Sequence, residues 1–262
     1  MRRASNLNFM RVSGAWLPFC LGVVLCLCVA SCRPDGAGCG TALGEMTTDT
    51  LILSNAISRL EIEGRIHVSW RPSEEEPVAI RRAGLGVIEG LSLQEESGGL
   101  HIKDNNTCHW VRDLTAIPEV ELVGMSLEEI QLLGQGDFAM LDTLRGGNLT
   151  VEGDEMSGNI SLRFSGDTLQ LRLPNGIGHA HVMGSALRFR SFRSGFGDLD
   201  AQDLDAQQIM LHHGGLGQVD LETRGYLYLE LAGHGDVHLH GQSQDQDIRI
   251  LPGATGQVVE WP

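Results

Sequence analysis

Gly195-Phe196-Gly197-Asp198-Leu199-Asp200-Ala201 returns as Gly215-Leu216-Gly217-Gln218-Val219-Asp220-Leu221 and again as Gly233-His234-Gly235-Asp236-Val237-His238-Leu239. Related copies begin at Gly134, Met156, Gly176 and Ala254, so successive starts are separated by 22, 20, 19, 20, 18 and 21 residues. A sequence period near twenty is the mark of a stacked solenoid, in which each repeat supplies one coil and buries its apolar side only against its neighbours. Two and four residues beyond the second glycine stand Phe138 and Met140, Ile160 and Leu162, Ala180 and Val182, Leu199 and Ala201, Val219 and Leu221, Val237 and Leu239. The residues between them are mostly polar. Alternation at period two, held in six successive copies, predicts a short strand with one buried face.

Each interval holds a second alternating run, among them Leu169–Leu173, Leu187–Arg190, Leu227–Leu231 and Ile248–Ile250. A coil therefore carries two or three short strands joined by Gly, Asn and Asp turns. The prediction is an all-β chain, a parallel β-solenoid of about six to seven coils. Residues 126–262 form the regular coils, and 50–125 an irregular β cap with the first coils. Within that cap, Val87–Glu96 is the one candidate for a turn or two of helix. The repeated glycines are expected where a turn needs positive φ or where coils approach closely. A phosphate cradle is not indicated, because no helix and no Lys-Ser/Thr follows the glycines.

The N-terminus reads as a targeting segment, residues 1–31. Arg2, Arg3 and Arg11 precede an apolar run from Ala15 to Ala30, and Val29-Ala30-Ser31-Cys32 resembles a lipobox cleaved before Cys32. An ordinary secretory cleavage site or a membrane span are the other readings. The span is the poorer one, since sixteen residues reach only about 24 Å as a helix and Pro18 interrupts them. Lipidation at Cys32 would attach the chain to a membrane, with residues 32–49 as a Gly/Ala/Thr-rich tether. After cleavage the net charge is (19 − 3) − 34 = −18. A chain this acidic is not built to bind nucleic acid. It would be repelled by anionic headgroups, so acyl chains must hold it to the bilayer. Cys39 and Cys108 are the remaining cysteines. In an oxidising envelope compartment they are expected to form a disulfide, the alternative being two free thiols.

Two side-chain rows stand out. His181, Asp200, Asp220 and His238 occupy one outward position in four successive coils. They read as a solvated polar ladder, although two His flanking two carboxylates match a metal site in composition. Asp137, Asn159, His179, Asp198, Gln218 and Asp236 follow the second glycine and are expected to stabilise their own turns as Asx residues. Asp49-Thr50-Leu51, Asp142-Thr143-Leu144 and Asp167-Thr168-Leu169 match a short bacterial O-glycosylation pattern, with coincidence the plainer account of each. No catalytic set, cofactor site or metal site is assigned.

Taken together, the lipobox, Cys39 to Gly44, the β unit Ile57–Trp70, Gly99-Leu100-His101-Ile102, Asn106-Thr107-Cys108-His109-Trp110-Val111-Arg112 and the Gly-x-Gly-Asp coils resemble the bacterial envelope family called head GIN domain, or putative auto-transporter adhesin. The likeness spans roughly residues 39–262. It implies a β-solenoid and an envelope location, and it brings no catalytic residues. Several coils here carry His or Gln where the pattern has Asp, and Met156 replaces a first glycine. The function expected is a non-enzymatic lipoprotein of the outer membrane whose solenoid surface binds a glycan, matrix or envelope protein. The alternative is a polysaccharide-active enzyme on the same scaffold. Convergent charged groups in a groove would favour the enzyme, and exposed aromatics on a flat face would favour binding.

Overall fold

The computed structural model describes residues 44–54, 56–106 and 117–261. The expected targeting segment 1–31, Cys32, Cys39 and Cys108 lie outside the described residues. The chain enters through β1 (Met46–Ile52), β2 (Arg59–Gly64), β3 (His67–Arg71) and β4 (Val78–Gly84), then a single helical turn, α1 (Leu85–Ile88). Next come β5 (Leu91–Glu96), β6 (Gly99–Asp104), β7 (Glu119–Val123), β8 (Glu129–Gly134), β9 (Phe138–Met140), β10 (Leu144–Arg145) and β11 (Asn148–Asp154). The regular body follows with β12 (Ile160–Leu173), β13 (Ala180–Arg193), β14 (Leu199–Ala201), β15 (Leu204–His213), β16 (Val219–Glu222), β17 (Tyr226–Leu231), β18 (Val237–His240), β19 (Asp245–Ile250) and β20 (Val258–Trp261).

These strands wind as a parallel β-solenoid of about seven turns. One face runs β6–β2–β8–β11–β12–β13–β15–β17–β19, parallel throughout. The second runs β7–β3–β9–β12–β13–β14–β16–β18–β20. Strands β12 and β13, 14 residues each, turn a corner and serve both faces. A short third side joins them through β10 and the start of β15. The cap is where direction reverses: β1 pairs antiparallel with β4, β4 with β7, and β5 with β6. Strand β1 starts at Met46, inside the 32–49 stretch.

The helix expected within Val87–Glu96 is only the turn Leu85–Ile88, and Leu91–Glu96 is strand β5. One turn gains too few intrahelical bonds to hold itself, whereas β5 finds a full partner in β6, from Leu91↔Asp104 to Glu96↔Gly99.

Inside, the alternating residues meet in rows. Val219, Leu221, Val237 and Leu239 are buried, as are Leu227, Leu229 and Leu231. Each such side chain contributes about 1.5–3 kcal/mol relative to exposure. At the cap, Trp70 is fully buried and its Nε1–H donates to the Gly124 carbonyl at 3.1 Å. The alternation expected for Leu187–Arg190 is broken by the corner: Ala186 and Phe189 point in, and Leu187 faces solvent.

The glycine rows answer to crowding. A β-carbon at Gly158, Gly178, Gly197, Gly217, Gly235 or Gly256 would overlap the carbonyl oxygen of the second glycine one coil below. None of these six has a positive φ, so conformational freedom is not the reason for glycine there. Coil stacking brings backbone against backbone, and only hydrogen fits.

Among the buried polar residues, three cluster on β13 and β15 against this pattern. Ser191, Arg193 and His213 are 4%, 3% and 1% exposed. Arg193 and His213 are register partners on adjacent strands, in the row that elsewhere holds Leu173 and Leu231. Arg193 Nη2 donates to the Gly197 carbonyl and the His213 imidazole lies against the Gly217 and Gly235 backbone, while Arg193 Nη1 and Ser191 Oγ have no hydrogen-bond partner. Burial pulls the Arg193 pKa down to about 10, partly offset by Asp198, so the guanidinium stays charged at neutral pH. Burial, reinforced by Arg193, pulls His213 down to about 4, so its imidazole stays neutral.

Two consequences are measurable by urea or thermal unfolding. Gly217→Ala should destabilise the chain by about 3 kcal/mol, because the methyl meets backbone that cannot move without parting the coils. Unchanged stability would count against the crowding account. Arg193→Leu should stabilise by about 1–4 kcal/mol, as replacement of an ill-compensated buried charge by an apolar residue often does. The His213 folded pKa lies below the unfolded value of 6.5, so the unfolded chain binds the extra proton. Stability should therefore fall as pH drops from 6.5 towards about 4. His213→Leu should lose less stability than the parent over that window, and parallel curves would exclude His213 as the source.

Candidate functional site

Strand parity dictates what the first face shows to solvent. With Leu169, Phe189 and Ile209 inside, the residues at odd steps from them point out. Two outward columns result: Gln170, Arg190, Met210 and Tyr228 in one, and Arg172, Phe192, His212 and Glu230 in the other. Neighbours in a column are one rung apart, about 4.8 Å. Phe192 is 37% exposed and Met210 43%. The Phe192 and His212 rings stack at 4.8 Å between centroids and 5° between planes. His212 Nδ1 lies 2.7 Å from Glu230 Oε1, and Tyr228 Oη donates to Glu230 Oε2 at 3.3 Å. The Arg249 guanidinium caps the far side of Tyr228, 5.2 Å from the ring centroid. The two columns bound an open, mainly apolar cleft of about 440 Å³. The two columns stand on β12, β13, β15 and β17, each paired on both sides, which holds their backbone in place.

The second face carries the expected ladder. His181, Asp200, Asp220 and His238 are register partners in four successive strands. His181 Nδ1 is 3.6 Å from Asp200 Oδ2, and His238 Nδ1 is 3.0 Å from Asp220 Oδ1. His240 Nε2 also approaches that Asp220 oxygen, at 3.6 Å, and Gln218 Nε2 donates to its other oxygen at 2.7 Å. The carboxylates are thus already occupied by imidazoles and an amide. Among the described residues no three His, Cys, Asp or Glu side chains converge as a metal site.

The row after the second glycine acts differently from expectation. Asp137 Oδ1 accepts the backbone N–H of Asn159 at 2.7 Å, Asp198 Oδ1 that of Gln218 at 2.8 Å, and Asp236 Oδ1 that of Gln257 at 2.8 Å. His67 and His179 offer Nδ1 to the N–H of Asp137 and Asp198, at 3.0 and 3.2 Å. These side chains reach one coil onward and do not close their own turns. The amides of Asn159, Gln218 and Gln257 are thus met by a carboxylate of the coil beneath, and those of Asp137 and Asp198 by an imidazole. Of the Asp-Thr-Leu threonines, Thr50 is exposed on β1, while Thr143 and Thr168 are half-buried.

His212 and His213 are adjacent on β15 and so face opposite sides of the strand, His212 outward and His213 buried. Sequence reasoning missed Phe192, Met210 and Tyr228 as a surface. The signal was present: counting alternately from Phe189 sends Phe192 outward and Arg193 inward, against their hydropathy.

A family profile described as putative auto-transporter adhesin, head GIN domain, matches residues 57–243. No curated protein is a recognisable relative. Among solved structures, a putative adhesin from Bacteroides fragilis is 13% identical with a TM-score of 0.75, the match covering 85% of this chain and 100% of that one. A putative adhesin from Parabacteroides merdae is 14% identical, TM-score 0.53, over 84% of this chain and 98% of its own. A protein from Parabacteroides distasonis named as a putative lipid binding protein is 16% identical, TM-score 0.57, with the same coverages. At such identities these likenesses establish the fold alone. The profile, spanning 57–243, carries the assignment: the chain belongs to the head GIN domain family.

Proposed function

We propose that this chain is a non-enzymatic binding protein of the bacterial cell envelope, held at the outer membrane by acyl chains on Cys32 and engaging its partner through the first solenoid face. The observation that carries the reading is the strip of solvent-facing Phe192, Met210, His212 and Tyr228 on strands paired on both sides. Exposed aromatic and thioether groups are expensive to leave in water and recur at recognition surfaces. The adhesin description of the family supports the same reading. The charged groups of the second face support it from the other side, since the Asp220 carboxylate is engaged by its own neighbours.

Two measurements test it. Full-length protein purified in detergent is screened against glycans and envelope proteins, beside Phe192→Ala/Tyr228→Ala and the second-face variant Asp200→Ala. Retention that is lost in the double variant and kept in Asp200→Ala is the expected result. Retention indifferent to the strip, or turnover of a captured glycan, would overturn the reading. For the anchor, Cys32→Ala should abolish incorporation of labelled palmitate and release the protein from the membrane fraction. Persistent labelling would refute acylation at that residue.

A further inference from the structure

Where they lie side by side, residues 168–172 of β12, 188–192 of β13 and 208–212 of β15 present a window of nine outward side chains. They are Thr168, Gln170 and Arg172 on the first, Arg188, Arg190 and Phe192 on the second, and Gln208, Met210 and His212 on the third. Three are arginines and none is a carboxylate. In a chain with 34 Asp and Glu against 19 Lys and Arg, such a window runs against the composition. The acids resume at its borders, with Glu152 and Glu230 on the flanking strands and the exposed Asp167 and Asp205 earlier on β12 and β15. Within the window the guanidiniums are weakly engaged. Arg172 Nε is 3.8 Å from Glu152, Arg188 Nε donates to Thr168 Oγ1 at 3.2 Å, and Arg190 makes no ion pair among the described residues. Arg172 and Arg190 line the cleft from adjacent rungs, beside Phe192, Met210 and Tyr228.

We infer that this window binds an anionic glycan, a sugar chain bearing ring carboxylates. The inference rests on the reading of the strip as a binding surface and adds the chemistry of what it takes. A guanidinium fork matches a carboxylate in two parallel N–H···O bonds, and both Arg172 and Arg190 have donors to spare. Ring edges and the Met210 thioether offer apolar contact to the C–H side of a pyranose, while Gln170 and Gln208 offer amides to its hydroxyls. A cleft open along the solenoid axis admits an extended chain. The structure disfavours other anions. A peptide adding as a strand needs a free sheet edge, and β12, β13 and β15 are paired on both sides. An acyl chain needs an enclosed apolar cavity, and the interior behind this face is filled by Leu171, Phe189, Ile209 and Leu211.

The test uses full-length protein in detergent with oligogalacturonate as the acidic probe and the same oligosaccharide methyl-esterified as its neutral counterpart. Anionic phosphatidylglycerol vesicles and polyglutamate serve as comparison anions. The expected result is binding of oligogalacturonate that weakens with added salt, the ester binding about tenfold more weakly. Arg172→Gln/Arg190→Gln should cost a similar factor and flatten the salt dependence, with thermal unfolding unchanged. Equal affinity for acid and ester, or an arginine variant that binds like the parent, would overturn the inference. So would failure of oligogalacturonate to bind at all, or arginine-dependent preference for vesicles or polyglutamate. The two readings fail separately: if Phe192→Ala weakens both sugars equally and the arginine variant weakens neither, the strip remains a binding surface and the anionic class is wrong.

Discussion

The distance between stacked backbones, about 4.8 Å, governs this molecule. At the turns the coils meet main chain to main chain, so the carbonyl of one glycine occupies the space a β-carbon would need on the next. Glycine at Gly197, Gly217 and Gly235 is thus a condition of stacking. With the turns fixed, the residues two and four places on fall into register with those below. Leu199, Val219 and Val237 meet in one row, and Ala201, Leu221 and Leu239 in another. The same spacing sets the side-chain bonds between coils, in which Asp137, Asp198 and Asp236 each hold an amide of the coil above. It also sets the pitch of the outward columns, so anything recognised by the first face is recognised at that repeat.

The regular coils were legible because their signal is local. Gly-x-Gly and the alternation after it recur within twenty or so residues, and strand parity follows from two apolar positions. The glycine rows were legible as glycine, though the choice between freedom and crowding needed the neighbour one coil below. The turn residues show why type is easier to read than partner. Asp198 has the composition of an Asx residue, yet the amide it accepts belongs to Gln218. The strip on the first face was hidden for a different reason. Hydropathy sends Phe192 in and Arg193 out, parity does the reverse, and parity is enforced by hydrogen bonds on both sides of β13.

Arg193 and His213 show what that enforcement costs. A single side chain cannot turn over without moving the whole strand by one residue, which would expose Phe189 and bury Arg190. The chain therefore tolerates a guanidinium and a neutral imidazole where Leu173 and Leu231 stand in adjacent coils. On the outside, Phe192 and His212 stack in the same two rungs. The exposed aromatic stack and the buried polar pair are the two sides of one register.

The order of rungs at the cap has a bearing on how the chain is made. The β2–β3 rung lies between β6–β7 on one side and β8–β9 on the other. Leu60 thus meets Leu100 below it and Ile130 above it. The first rung to emerge is an interior one, and it has no parallel neighbour until residues 40 and 70 positions later arrive. A solenoid wound in chain order could grow coil by coil as it leaves a translocation channel. This one must hold its earliest strands open, with both edges bare, until the cap has looped out and returned. Closing the parallel stack at this rung therefore takes contacts between residues 40 and 70 positions apart, before the regular coils can add to it.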